Sequence, residues 1–189
     1  MQKLIVGLGG TTRSNSSSER AVRVVLDHAA SHGVEVMMFG GPQIALPLYA
    51  PEVPFRTAEA QTMIAALARA DGIVLGSPGY HGMISGLVKN ALDYCEDMRG
   101  DPRPYFEGRA IGCIACAAGW QAVGSTLAAL RSVVHALRGW PTPLGVGINT
   151  AATKVFDDTG RCVDEGVDRQ LKIMAEQVID FAHRRREVA

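Results

Sequence analysis

Short apolar runs alternate along this chain with stretches of helical period. Lys3–Leu8 reads as a first strand, followed by a helix over Ser17–His32. Val34–Phe39 gives a second strand, and a Pro- and Gly-rich connection leads from it to a helix near Thr57–Ala70. Gly72–Ser77, Ala110–Ala117 and Leu144–Ile148 supply three further strands, trailed by helices predicted over Ser85–Glu96, Gln121–Leu137 and Glu165–His183. Two of these helices carry a single apolar stripe. Val123, Leu127, Leu130, Val134 and Leu137 recur at alternating steps of four and three, as do Val167, Leu171, Met174, Val178 and Phe181.

The strands are apolar throughout instead of alternating, so both of their faces should be covered. Five strand–helix units of this kind predict one α/β domain over 1–189, a doubly wound parallel sheet with helices on both faces. Asp97–Gly108, rich in charge, Pro and Gly, reads as a surface loop, and Asp157–Gly160 as a turn. Arg184–Arg186 reads as a solvated helix end that suits the negative pole of the last helix.

Composition narrows the function. The 189 residues are 47% apolar, and 19 basic side chains cancel 19 acidic ones. Zero net charge removes the simplest electrostatic reason to expect a nucleic acid or an anionic membrane as partner. It also leaves little repulsion against self-association. The apolar start Leu4-Ile5-Val6 breaks at Gly9-Gly10-Thr11-Thr12, too short for a signal-peptide core. Ala110–Trp120 is about half of the roughly 20 residues a membrane-spanning helix needs. A cytoplasmic location is therefore expected. Of the four cysteines, Cys113 and Cys116 form a Cys-x-x-Cys pair, but on a strand that spacing sends the two thiols to opposite faces. Core packing is the expected role, and no metal site is expected.

Three loops leave carboxyl ends of strands, where open parallel sheets bind ligands. Gly9–Glu19 sets six hydroxyls (Thr11, Thr12, Ser14, Ser16, Ser17, Ser18) and Arg13 around a helix N-terminus. Free N–H groups, the helix dipole and a planar guanidinium together suit a phosphate. The loop lacks the G-x-G-x-x-G spacing of dinucleotide folds, and no lysine follows a glycine, so no P-loop is present. A single terminal phosphate fits better. Ser77-Pro-Gly-Tyr-His-Gly82 and Ala117-Ala-Gly-Trp-Gln-Ala-Val-Gly124 each offer small residues, backbone amides and one aromatic side chain, suited to a flat ring. A phosphate tail with a planar head describes flavin mononucleotide.

At these residues the chain resembles the NADPH-dependent FMN reductases, which include quinone, azo-dye and chromate reductases. Gly10-Thr-Thr-Arg-Ser-Asn-Ser16 is similar to the family's G-S-x-R-x-x-S loop, with Thr11 keeping the hydroxyl. Ser77–Gly82 with Gly86-Leu-Val-Lys-Asn-Ala-Leu-Asp-Tyr94 is similar to S-P-x-Y-x-G…G-x-L-K-N-A-x-D-[WY], and Phe106–Arg109 to F-x-G-K. The third loop departs from the family's paired glycines. The resemblance, which runs from Leu4 to about Pro143, implies a flavodoxin-like fold with strand order 2-1-3-4-5. It assigns Thr11, Arg13, Ser16, Ser17 and Ser18 to the FMN phosphate. Pro78, Gly79, Tyr80, His81 and Gly82 fall to the isoalloxazine and ribityl region, and Gly119 and Trp120 to the far side of the ring. It further implies NADPH or NADH as co-substrate, a small-molecule electron acceptor, and homodimers or homotetramers with the flavin near an interface.

Hydride transfer is the cofactor's own chemistry, so no catalytic acid or base is assigned. His81 reads as a loop residue, and His28, His32, His135 and His183 as helix-surface residues. No G-x-S-x-G elbow supports a hydrolase. The competing reading is a flavodoxin-type electron carrier, or a flavin-binding regulatory protein without turnover of its own. The absence of net charge speaks against a carrier, which docks through a charged face.

Overall fold

The computed structural model describes residues 2–184. The end residues Arg185 and Arg186 lie outside them. The sheet is built on β1 (Leu4–Gly9), β2 (Glu35–Gly40), β3 (Gly72–Tyr80) and β5 (Ala110–Ala117), all parallel, in the order β2-β1-β3-β5. Beyond β5 the edge position is filled by two short parallel pieces, β6 (Trp140–Pro141) and β7 (Val146–Asn149). β6 pairs with the start of β5 and β7 with its end. The expected 2-1-3-4-5 order is therefore present, with its fifth strand broken in two. The break falls at Pro143, which has no N–H to give a ladder. Thr142 bridges the gap, its hydroxyl donating to the Leu144 carbonyl at 2.8 Å and its N–H to Ile111 at 3.0 Å.

Alternate strand residues feed two cores. Leu4, Val6, Leu8, Ile73, Leu75, Ile111 and Cys113 face one side, with α2 (Ala58–Arg69), α3 (Gly86–Asp93) and α4 (Trp120–Ala136) packed on them. Ile5, Val74, Ile114, Cys116, Val146 and Ile148 face the other, under α1 (Ser17–Ser31) and α5 (Glu165–Arg184). Cys113 and Cys116 thus belong to opposite cores, and burial pushes both thiols up to about 12. Among the described residues no cluster of His, Cys, Asp or Glu could hold a metal ion, and no helix is long and apolar enough to cross a membrane.

Three local expectations change. The third strand runs on to Tyr80 and folds back on a two-residue strand, β4 (Met83–Ile84), so the expected loop is the tip of a hairpin. The helix expected over Ser85–Glu96 is α up to Asp93 and then tightens into a 3-10 turn, Tyr94–Met98. The expected surface loop Asp97–Gly108 instead sends Met98 and Phe106 into the core, both fully buried. Its charges and prolines hid two isolated anchors that carry neither a strand nor a helical period. Arg109, next to the loop, is also fully buried, donating to the carbonyls of Ala70, Tyr105 and Ala68.

Candidate functional site

β1 and β3 are neighbours, but the chain leaves β1 toward β2 on one side and reaches β3 on the other. Their carboxyl ends therefore frame the switch point of the sheet. At that point Gly9 lies opposite Gly76, so close that a Cβ on Gly9 would sit 2.3 Å from the Gly76 carbonyl oxygen. Only glycine allows this approach, and the Gly10 N–H then reaches the same oxygen at 3.3 Å.

The loop that follows is wound by its own side chains. The Thr11 hydroxyl accepts the Arg13 N–H at 3.2 Å and lies 3.1 Å from the Arg13 carbonyl. Asn15 adopts φ 58, a left-handed conformation that asparagine tolerates, and donates its N–H to Glu19 Oε2 at 3.1 Å. Ser16 caps α1, its hydroxyl accepting the Glu19 N–H at 3.4 Å. The Ser18 hydroxyl lies 3.4 Å from that of Ser16, and both serines are buried. Ser17 is half-buried and Arg13 is exposed on the loop. The Arg13 guanidinium has no side-chain partner among the described residues. Glu19 was legible in the sequence only as an acidic first-turn residue. It is buried, and its charge is met by Arg23 at 3.0 Å and by the Asn15 amide. Gly40 and Gly41, at the end of β2, close over it; a Cβ on Gly40 would meet the Glu19 carboxyl carbon at 2.8 Å.

The second segment is a hairpin clamped at its base. Ser77, fully buried, donates its hydroxyl to the Pro78 carbonyl at 2.8 Å and accepts the Ser85 N–H at 3.0 Å. Pro78 is buried, and Gly79 is pressed against α4, where a Cβ would lie 2.5 Å from Thr126 Oγ1. His81 and Gly82 turn the hairpin with φ 51 and φ 82, the paired left-handed geometry of a tight two-residue turn. Tyr80 stands 53% exposed beside them. The third segment turns at Gly119, φ 118, whose N–H donates to Asn149 Oδ1 at 3.0 Å. Trp120 opens α4 and is 66% exposed. Asn149, at the carboxyl end of β7, went unread in the sequence: one side chain there also takes the Ala151 N–H at 3.1 Å and so fixes two turns.

The three segments leave β1, β3 and β5, which lie side by side, so about 10 Å of sheet separates the first from the third. An anion-ready helix end and arginine sit at one end of that span, the exposed Tyr80 ring at its middle and the exposed Trp120 ring at the other end. The chemistry fits FMN: a phosphate finds hydroxyls, amides and a cation, and the one nearby carboxylate is already neutralised by Arg23.

Residues 4–153 match the family model described as NADPH-dependent FMN reductase. The chain belongs to the NADPH-dependent FMN reductase family. It is accordingly an NAD(P)H-dependent flavin oxidoreductase with FMN as its cofactor. Among curated proteins it is similar to the FMN-dependent NADPH-azoreductase of Staphylococcus aureus, 23% identical over 180 residues covering 92% of each chain. Among solved structures it is similar to the flavoenzyme NAD(P)H:(acceptor) oxidoreductase of Paracoccus denitrificans, with TM-score 0.75 and 18% identity, covering 96% of this chain and 97% of that one. An oxidoreductase of Corynebacterium diphtheriae gives TM-score 0.73 at 16% identity, covering 98% and 99%. At these identities the solved structures speak for the flavodoxin-like fold alone.

Proposed function

We propose that this reductase holds the FMN phosphate in the Thr11–Ser18 loop and the ring between the Pro78–Gly82 hairpin and the Gly119–Trp120 turn. From there it passes electrons from NADPH or NADH to a quinone-like, azo, metal-ion or free-flavin acceptor. FMN, when bound, supplies the hydride chemistry. The protein's share is positional. Arg13 and the N–H groups opening α1 bind the phosphate; Ser16 and Thr11 hold the loop in the shape that presents them. The Ser77 clamp and the contact of Gly79 with Thr126 fix the hairpin whose amides face the ring edge. Tyr80 and Trp120 shelter the site from water while leaving one ring face to substrates. No side chain has to deliver a proton at a particular atom.

The observation that carries this reading is Arg13: an exposed guanidinium, without a side-chain partner among the described residues, on the loop at a helix N-terminus. Replacing it should cost the fold nothing and the cofactor a great deal. A charge-assisted hydrogen bond contributes about 1.5–3 kcal/mol, so Arg13→Ala should bind FMN roughly 10- to 150-fold more weakly with an unchanged melting temperature. Visible absorption after dialysis and quenching of FMN fluorescence on titration measure it. Full flavin content in the variant refutes the phosphate assignment.

The same reading makes the enzyme a cytoplasmic homodimer or homotetramer acting as one domain per chain. Support for self-association comes from Leu48 and Phe55, each 86% exposed, and Met83 at the hairpin, 57% exposed, on a chain with no net charge to keep copies apart.

A further inference from the structure

A groove of about 680 Å³ runs between α1 and α5, on the face of the sheet opposite α2, α3 and α4, and none of the residues assigned to FMN above lines it. It starts at Asn15 and is walled by Arg20 and Arg23 of α1, Lys172 of α5, and Arg161 on the turn before α5. Two carboxylates, Asp27 and Asp168, also line it. Two of the four cations are already committed: Arg23 to Glu19 at 3.0 Å and Lys172 to Asp168 at 2.6 Å. The other two have no carboxylate partner among the described residues. Arg161 has no side-chain partner among the described residues. Arg20 gives Nη1 to the Asp157 carbonyl at 2.8 Å, while its Nε is buried with no partner. Buried guanidinium nitrogens are normally paired, so among the described residues Arg20 is incompletely satisfied.

The groove is also built. The Asp157 carboxylate accepts the N–H groups of Thr159 and Arg161, each at 2.9 Å, and the Thr159 hydroxyl at 2.7 Å. These bonds spend the acid on the turn and fix the segment that carries Arg161. Gly160 at φ 93 lies over the Arg20 side chain; a Cβ there would sit 3.7 Å from Nε. A neutral protein thus lines one groove with the Arg161 guanidinium and with that of Arg20, which is only partly paired, in a space of the size that small molecules occupy.

We propose that this groove is a second anion site, taking a phosphate monoester on a nucleoside-sized carrier between Arg20 and Arg161. Two guanidinium forks suit the doubly charged monoester better than a singly charged carboxylate or diester. Two sources share that chemistry: the 2′-phosphate of NADPH itself, and a separate phosphorylated small molecule.

Cys162 lines the groove and reports on it. The other three cysteines are buried, so alkylation of the native protein reads this thiol. The experiment measures iodoacetamide labelling of Cys162 by mass spectrometry on FMN-saturated enzyme, titrated with adenosine 2′-phosphate. Labelling should slow on addition, and Arg161→Ala should weaken the protection about tenfold or more, whereas Arg13→Ala should leave it intact. No protection in the wild type, or protection indifferent to Arg161→Ala, overturns the proposal. Protection lost in Arg13→Ala but not in Arg161→Ala places the probe on the flavin loop and likewise overturns it. A protein that fails to bind FMN yet shows Arg161-dependent protection refutes the flavin assignment and supports this one. Steady-state kinetics then separates the sources: a KM raised for NADPH but not NADH in Arg161→Ala identifies the donor's own 2′-phosphate, and equal effects on both identify a separate compound.

Discussion

Replacing Arg109 tests the fold at the start of β5, the opposite end of that strand from the candidate site. Its guanidinium is fully buried and donates Nε to Ala70 O at 2.9 Å, Nη1 to Tyr105 O at 2.8 Å and Nη2 to Ala68 O at 2.5 Å. Two of these acceptors sit at the C-terminal end of α2, where carbonyls lack intrahelical donors and a cation is favoured. In Arg109→Met most of the volume is refilled, so the loss is in hydrogen bonding. Ala70 O keeps a second donor, Arg103 Nη2 at 3.1 Å. The carbonyls of Ala68 and Tyr105, both part-buried, lose theirs, at up to about 1–3 kcal/mol for each acceptor left unmet, or roughly 2–6 kcal/mol together as an upper range. Against a typical total of about 5–15 kcal/mol this is severe. For a chain of this size it lowers the melting temperature by roughly 4–24 °C. Arg109→Lys, with one ammonium in place of a three-armed fork, should fall between. Thermal melts followed by far-UV circular dichroism provide the assay, with flavin per folded molecule unchanged at low temperature. A midpoint for Arg109→Met within the scatter of wild-type melts refutes the argument that these three bonds hold α2 to the 105–109 segment.

Other outcomes follow from single contacts. Gly79→Ala puts a methyl 2.5 Å from Thr126 Oγ1 and 3.0 Å from Ala117 Cβ, so the hairpin must lift from α4; stability should drop about 1–3 kcal/mol and FMN affinity with it. Gly86→Ala, with nothing within 4 Å of the new methyl, is the control and should change neither in a chemical denaturation and FMN titration. In the native protein at pH 8 a thiol reagent should find Cys162 alone, since burial pushes Cys95, Cys113 and Cys116 up to about 12; all four should react once the chain is denatured. His28 is held below its ordinary value, first by burial and then by His32. The unfolded chain therefore takes up this proton at higher pH than the folded one, so the contribution is present above about pH 6.5 and is lost as pH falls. His28→Gln should flatten that acid limb in melts across pH 5–8; an unaltered limb would show that other groups set it.

The sheet was legible because parallel strands buried on both faces write themselves as unbroken apolar runs, and β1, β3 and β5 do so. Where the pattern was misread, a backbone property was at work. The hairpin at Tyr80–Met83 depends on two left-handed residues, His81 and Gly82, and histidine is not a residue that announces such a turn. The split fifth strand depends on Pro143, and only its second half is apolar enough to be seen. Met98 and Phe106 escaped because they are isolated anchors in a charged segment, with neither a helical nor a strand period to reveal them.

Within the candidate site, the proposed donors could be picked out of the sequence, but the residues that shape their loop could not. Arg13 and the hydroxyls stand together in the sequence, so their convergence is local. Glu19 and Asn149 act on backbone amides brought close by the fold: Glu19 on Asn15 four residues before it, Asn149 on Gly119 thirty residues away. A carboxylate behind a phosphate loop looks adverse when charges are counted along the chain. In three dimensions Arg23 neutralises it, and its oxygen holds Asn15 in the left-handed conformation that swings the loop over the end of α1. The buried acid thus shapes the loop and leaves Arg13 exposed on it. The difference follows from burial: Glu19, which organises the loop, is enclosed and paired, whereas Arg13 is exposed and has no side-chain partner among the described residues.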